Sequence, residues 1–141
     1  MVGAHRERGA SLIEFAILMP LLITLLLGVV EFAWLFSQNI DVRHGAREGA
    51  RLAATDYGNE TTIANETCDR MDIAGTAAVT VNLTRSGATI GDEINVTVTA
   101  TPASLTGFFD YILPATLTSS IETRLEQSPS WSSTASPVAC P

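Results

Sequence analysis

The residues best placed to do chemistry stand at the head of an apolar run. Gly9 is followed five residues later by Glu14 and then by Phe15, and no charge occurs from Phe15 to Val30. A secretory signal peptide places its small-residue cleavage site after the apolar core. Here the small residue comes first, so hydrolysis after Gly9 would remove nine mostly polar residues and leave the apolar segment on the mature chain as an anchor. A second pair, Cys68 and Cys140, lies far apart in sequence and in no metal-ligand spacing. In a domain exported across a membrane their expected state is one disulfide. It would close a loop of about seventy residues, worth roughly 4 kcal/mol on chain entropy. The other reading is two unrelated buried thiols.

No nucleophile finds a base. The two histidines are His5, in the leader, and His44, which stands among arginines and reads as a helix-surface residue. No Cys/His cluster has zinc spacing and no glycine-rich loop follows a strand. The paired acids Asp92-Glu93 sit at a turn, where carboxylates are more often solvated than catalytic. We therefore expect no enzyme activity, no metal and no cofactor. The formal charge is -7, with eight arginines and no lysine. That balance excludes nucleic acid as a partner, since neutralising phosphates needs clustered cations. Asn-x-Thr triplets at Asn59, Asn65, Asn82 and Asn95 match a glycosylation acceptor pattern, which a threonine-rich chain also produces by chance.

The elements that must carry these residues are a long helix and one small domain. His5, Arg6 and Arg8 precede the apolar run, and positive residues stay cytoplasmic, so the N-terminus is expected inside and the rest outside. Phe15 to Phe36 would span about 33 Å as a helix, against a hydrocarbon layer of about 30 Å. Pro20 is tolerable in such a span and predicts a kink there. Glu31, near its outer end, reads as a carboxylate among the outer headgroups, the other reading being an intramembrane charge with a partner. The helical pattern continues to about Tyr57, where Gly58-Asn59 would stop it. Along this stretch Gly45, Gly49 and Ala53 recur every four residues, beside a parallel ridge of Ala46, Ala50 and Ala54. Small residues permit close approach of a partner surface, either another helix or the protein's own sheet. Arg43, Arg47 and Arg51 also stack at four-residue spacing. They face either anionic headgroups or carboxylates on a neighbour, or else water, relieved by Asp41 and Glu48.

Downstream, Glu60 to Ala74 reads as a short helix ended by Gly75. Val79, Val81 and Leu83, then Ile94, Val96, Val98 and Ala100, alternate with polar residues around the turn residues Ser86-Gly87 and Gly91-Asp92. Leu117 to Leu125 gives a third alternating run. Between them, Pro102 to Pro114 carries Phe108, Phe109 and Tyr111 with an exposed character. The expected fold is α+β: a long N-terminal helix, then one short helix on a three-stranded antiparallel sheet. The boundaries are 1–9 for the leader, 10–57 for the long helix, 58–127 for the exported domain and 128–141 for an irregular Ser/Pro-rich tail tied down at Cys140.

The Gly-x-x-x-x-Glu-aromatic pattern of Gly9, Glu14 and Phe15 resembles the prepilin-type leader of the type IV pilin superfamily. Val29-Val30-Glu31-Phe32 and Ala46-Arg47-Glu48-Gly49-Ala50-Arg51 are similar to two stretches of the TadE-like pseudopilins of tight-adherence (Flp) pili. The resemblance covers roughly residues 6 to 56. It implies a prepilin peptidase as partner, with Gly9 at the cut, Ala10 as the new N-terminus, Glu14 as charge partner and Phe15 as the flanking aromatic. A carboxylate at the membrane edge is costly unless paired, and the amino group of Ala10 on a neighbouring subunit would pair it. The other reading has Glu14 snorkelling to cytoplasmic headgroups. The resemblance further implies a single-pass protein of the bacterial cytoplasmic membrane, in contact with lipid and with other pilin-like subunits or pilus assembly proteins. The alternative is an anchored, exported binding domain that never enters a filament.

Overall fold

The computed structural model describes residues 4–71, 76–132 and 137–141, with side chains from residue 10 onward. One helix, α1 (Ala4–Ala54), runs without interruption through Pro20. The Thr24 hydroxyl donates to the Pro20 carbonyl at 2.8 Å. From Ala10 to Leu26 every residue is exposed, and by length and composition this helix can cross a membrane. From Gln38 onward the same helix changes character: Val42, Ala46, Ala50, Leu52, Ala53 and Ala54 are all buried in the core.

The end of α1 differs from the expected Gly58-Asn59 stop. Asp56 takes the left-handed conformation (φ 50°), the amide of Tyr57 donates back to the Leu52 carbonyl at 3.2 Å, and that of Asp56 to Ala53 at 3.5 Å. This is a Schellman termination with aspartate where glycine is usual. The Asp56 side chain is held there, accepting from the amide and hydroxyl of Ser130 at 2.8 and 2.9 Å. Asn59 instead opens the next helix, α2 (Glu60–Asp69), as its N-cap, accepting from the amide of Thr62 at 2.9 Å. This helix is shorter than expected, because Arg70 already caps it. The expected stop at Gly75 lies outside the described residues.

The sheet is antiparallel with order β3-β2-β1-β4. β1 (Thr76–Arg85) and β2 (Glu93–Pro102) form the expected hairpin, with Val81 opposite Val98 and Leu83 opposite Val96. β3 (Leu117–Arg124) pairs with β2 through Val96 and Ile121. The fourth strand corrects the expected count of three. Val138 and Ala139 of the tail form β4 on the free edge of β1, opposite Val81 and Thr80. Two residues are too few to show a strand period. One face of the sheet is closed by the outer half of α1, which lies over β2 and β3, and by α2, which packs on α1 and reaches β1 and β4. Trp131 and Leu125 are both buried in this core.

Candidate functional site

The expected processing residues lie at the exposed end of α1. Gly9 falls within the helical backbone, and Ala10, Glu14 and Phe15 are exposed on the apolar segment. Ala10 and Glu14 are four apart and so share a helix face. No part of the folded domain covers them, which leaves that face open to lipid or to another chain.

The small-residue ridge lies elsewhere, inside the domain. A β-carbon added at Gly45 would run into the side chain of Met71. One added at Gly49 would stand 3.0 Å from the Thr67 hydroxyl and 3.1 Å from a Val96 methyl. Ala53 is fully buried. The close approach that the two glycines permit is therefore to the protein's own α2, to Met71 just past it, and to β2. Ala50 and Ala54 line a groove against Ile121 and Thr123 of β3. Of the arginine stripe, Arg51 is engaged, chelating Glu48 at 2.6 and 3.1 Å, whereas Arg43 and Arg47 are exposed. Arg70 reaches across from α2 to the same carboxylate and to Glu66 at 2.7 Å. Donation from Arg51, and then from Arg70, pulls the Glu48 carboxyl down from 4.5 to about 2. His44 is exposed. At the β1–β2 turn the Asp92 carboxylate accepts from the Thr89 hydroxyl at 2.6 Å and its amide at 2.8 Å, which holds its pKa below the ordinary value. Its work is to close the turn.

A second cluster was not legible as such in the sequence. Glu31 is buried and has its partners within the protein's own β2–β3 loop. Its carboxylate accepts from the amides of Leu105 and Thr106 at 3.0 and 3.2 Å and from the Thr106 hydroxyl at 2.9 Å. Gln38, two turns on, donates to the Ala103 carbonyl at 3.0 Å and accepts from its amide at 3.2 Å. Between them the Trp34 indole donates to the same carbonyl at 3.1 Å. Thus one polar face of α1 binds the backbone of the β2–β3 loop and draws it along the helix toward the apolar segment. Phe109 reaches within 3.7 Å of the position of a Gly28 β-carbon. The available signal was the spacing of Glu31, Trp34 and Gln38, at i, i+3 and i+7 on an otherwise apolar surface.

Cys68 of α2 and Cys140, just past β4, form a disulfide. The amide of Cys140 also bonds the Val79 carbonyl at 2.9 Å, so the tail is held both covalently and in the ladder.

The helix that carries both the open apolar face and the loop-binding face is the part of the chain with known counterparts. Residues 9–51 match the TadE-like protein family. This TadE-like segment takes in the apolar run, Glu31, Gln38 and the glycine ridge, and it stops short of α2 and the sheet. No curated protein and no solved structure matches the chain.

Proposed function

We propose that this protein is a membrane-anchored pseudopilin that takes part in assembling a tight-adherence pilus after a prepilin peptidase cuts at Gly9. The observation that carries this reading is the division of the TadE-like helix. From Ala10 to Leu26 it is largely apolar and exposed on every side, while from Gln38 onward it is the spine of a folded domain. An anchor of this kind can pass from lipid to the apolar flanks of neighbouring helices without disturbing the domain. In this reading the work is assembly and not catalysis, and the partners are the peptidase, membrane lipid, and pilin-like subunits or assembly proteins. Ala10 and Glu14 stand on one open face, so the new amino group of one subunit can meet the carboxylate of the next.

The test is at the cut. A peptidase that reads a glycine has no room for a large side chain, so Gly9→Phe should remain full length in membranes where the wild-type chain loses residues 1–9, as read by intact mass. Normal shortening of Gly9→Phe would remove the prepilin assignment. Retention of the leader on the wild-type chain, in cells with an active prepilin peptidase, would favour an anchored binding domain outside any filament.

A further inference from the structure

We propose that the loop from Leu105 to Ile112 seats in the lipid leaflet from which α1 emerges, giving the domain a second membrane contact beside its helix. The inference begins with where the loop is held. Its backbone is bonded to Glu31 through Leu105 and Thr106, and Phe109 approaches Gly28. Those helix positions belong to the span itself. If Phe15 marks the inner edge of the hydrocarbon, a layer of about 30 Å at 1.5 Å per residue ends near Trp34. Glu31 then lies within about 5 Å of that boundary, and the loop bound to it lies at the same depth.

The surface that the loop presents suits that depth. Leu105, Phe108, Tyr111 and Ile112 are 52%, 56%, 81% and 53% exposed, and on the helix beside them Phe32 and Phe36 are 65% and 68% exposed. Together they continue the apolar surface of the span outward around its exit. Aromatic side chains at this level are the usual belt of membrane proteins. The amides of Ala103, Leu105 and Thr106 are bonded to α1, and those of Gly107, Phe108 and Ile112 to Ser104, Thr106 and Phe109, while the one charge of the loop, Asp110, is exposed and in this arrangement stays at the level of the headgroups. A loop whose backbone is satisfied in this way can enter a boundary that excludes irregular chain elsewhere. The proposal rests on α1 spanning a membrane and not on a pilus role, so normal shortening of Gly9→Phe would leave it standing.

The experiment uses the full chain, disulfide intact, in phosphatidylcholine vesicles with and without brominated acyl chains. Three variants each add one tryptophan to the native Trp34 and Trp131, and the added emission is taken by difference from wild type. Tyr111→Trp probes the loop and Leu22→Trp the middle of the span. Ala88→Trp probes the β1–β2 turn, at the other end of the hairpin and about 30 Å from the loop. We expect Tyr111→Trp emission to be blue-shifted and quenched most by bromines near the headgroups, Leu22→Trp to be quenched by deep bromines, and Ala88→Trp to be untouched. Red, unquenched emission from Tyr111→Trp, with Leu22→Trp quenched, overturns the proposal and leaves the loop facing water or a protein partner. Unquenched Leu22→Trp removes the anchor and the proposal with it. Mapping the Cys68–Cys140 bridge in each variant verifies that the domain is folded.

Discussion

Gly45 and Gly49 stand one turn apart on the same ridge, yet they should respond differently to a methyl group. At Gly49 the new atom would meet Thr67 and Val96 at 3.0 to 3.2 Å, side chains that are themselves fully buried between α2 and the sheet. Overpacking of that kind costs about 1 to 3 kcal/mol, more than the gain of about 1 kcal/mol that alanine brings to a helix. Gly49→Ala should therefore lower the denaturation midpoint. At Gly45 the obstacle is the flexible side chain of Met71 at the margin of the core, which can swing away, so Gly45→Ala should change stability by less than about 1 kcal/mol. Equal losses at both positions would mean that Met71 is as fixed as Val96. Glu48 makes a separate prediction in pH. Its folded pKa is depressed to about 2 from 4.5, so its contribution is complete above pH 4.5 and is lost as pH falls toward 2. Because Arg51 is 61% exposed and screened by water, that contribution is about 1 kcal/mol. Urea midpoints of wild type and Glu48→Gln should converge across that window, and a constant gap down to pH 2 would show that the arginines do not hold this carboxylate. At this scale the recurrence of small residues at four-residue spacing is visible in the sequence, but the surfaces that Gly45 and Gly49 meet, Met71, Thr67 and Val96, are not. Nor are the partners of Glu31, which lie more than seventy residues away in a loop.

At the scale of elements, legibility followed length and period. β1, β2 and β3 each present an alternation long enough to recognise, and their buried faces are Val79-Val81-Leu83, Ile94-Val96-Val98-Ala100 and the half-covered face of Leu117 and Ile121. β4 has two residues and gains its place from what surrounds it, the edge of β1 and the bridge from Cys140 to α2. The end of α1 was misplaced for a related reason: an aspartate performs the left-handed turn that glycine usually signals, and Ser130 holds it from far along the chain. The dependence of β4 on its bridge can be measured. A loop of 72 residues is worth about 4 kcal/mol in the chain-entropy model, so Cys68→Ser with Cys140→Ser should lose most of that in urea unfolding. Local order should fall first at β4, with the amides of Val138, Ala139 and Cys140 exchanging faster while those of β2 stay protected at low denaturant. Unchanged exchange at Cys140 would mean that its bond to Val79, and not the bridge, holds the strand.

Over the whole molecule, one helix supplies at once an apolar segment long enough to cross a membrane, the spine of the domain and a docking rail, and the loop held by Glu31, Trp34 and Gln38 joins the first part to the other two. Without that attachment the domain would meet α1 only from about Leu35 outward, and the chain between β2 and β3 would lose its hold on the helix. The attachment is made of hydrogen bonds to backbone, which identifies the changes that should release it. Gln38→Leu fills similar space but abandons the amide of Ala103, and leaving one buried donor unmet costs about 1 to 3 kcal/mol. Glu31→Gln is nearly isosteric yet replaces one of the two acceptor oxygens by an NH2, which cannot accept from the amide of Leu105 or of Thr106 that it then faces. Each variant should raise hydrogen exchange at residues 103 to 106 while the hairpin amides of Val81 and Val98 keep theirs, because the core beneath α2 does not include the loop. The pair together should loosen the loop little more than either alone, since both act on one short segment that is either seated or not. Full additivity, or loss of protection at Val81 and Val98 in either single variant, would show that the loop is part of the cooperative core rather than a tether laid along the helix.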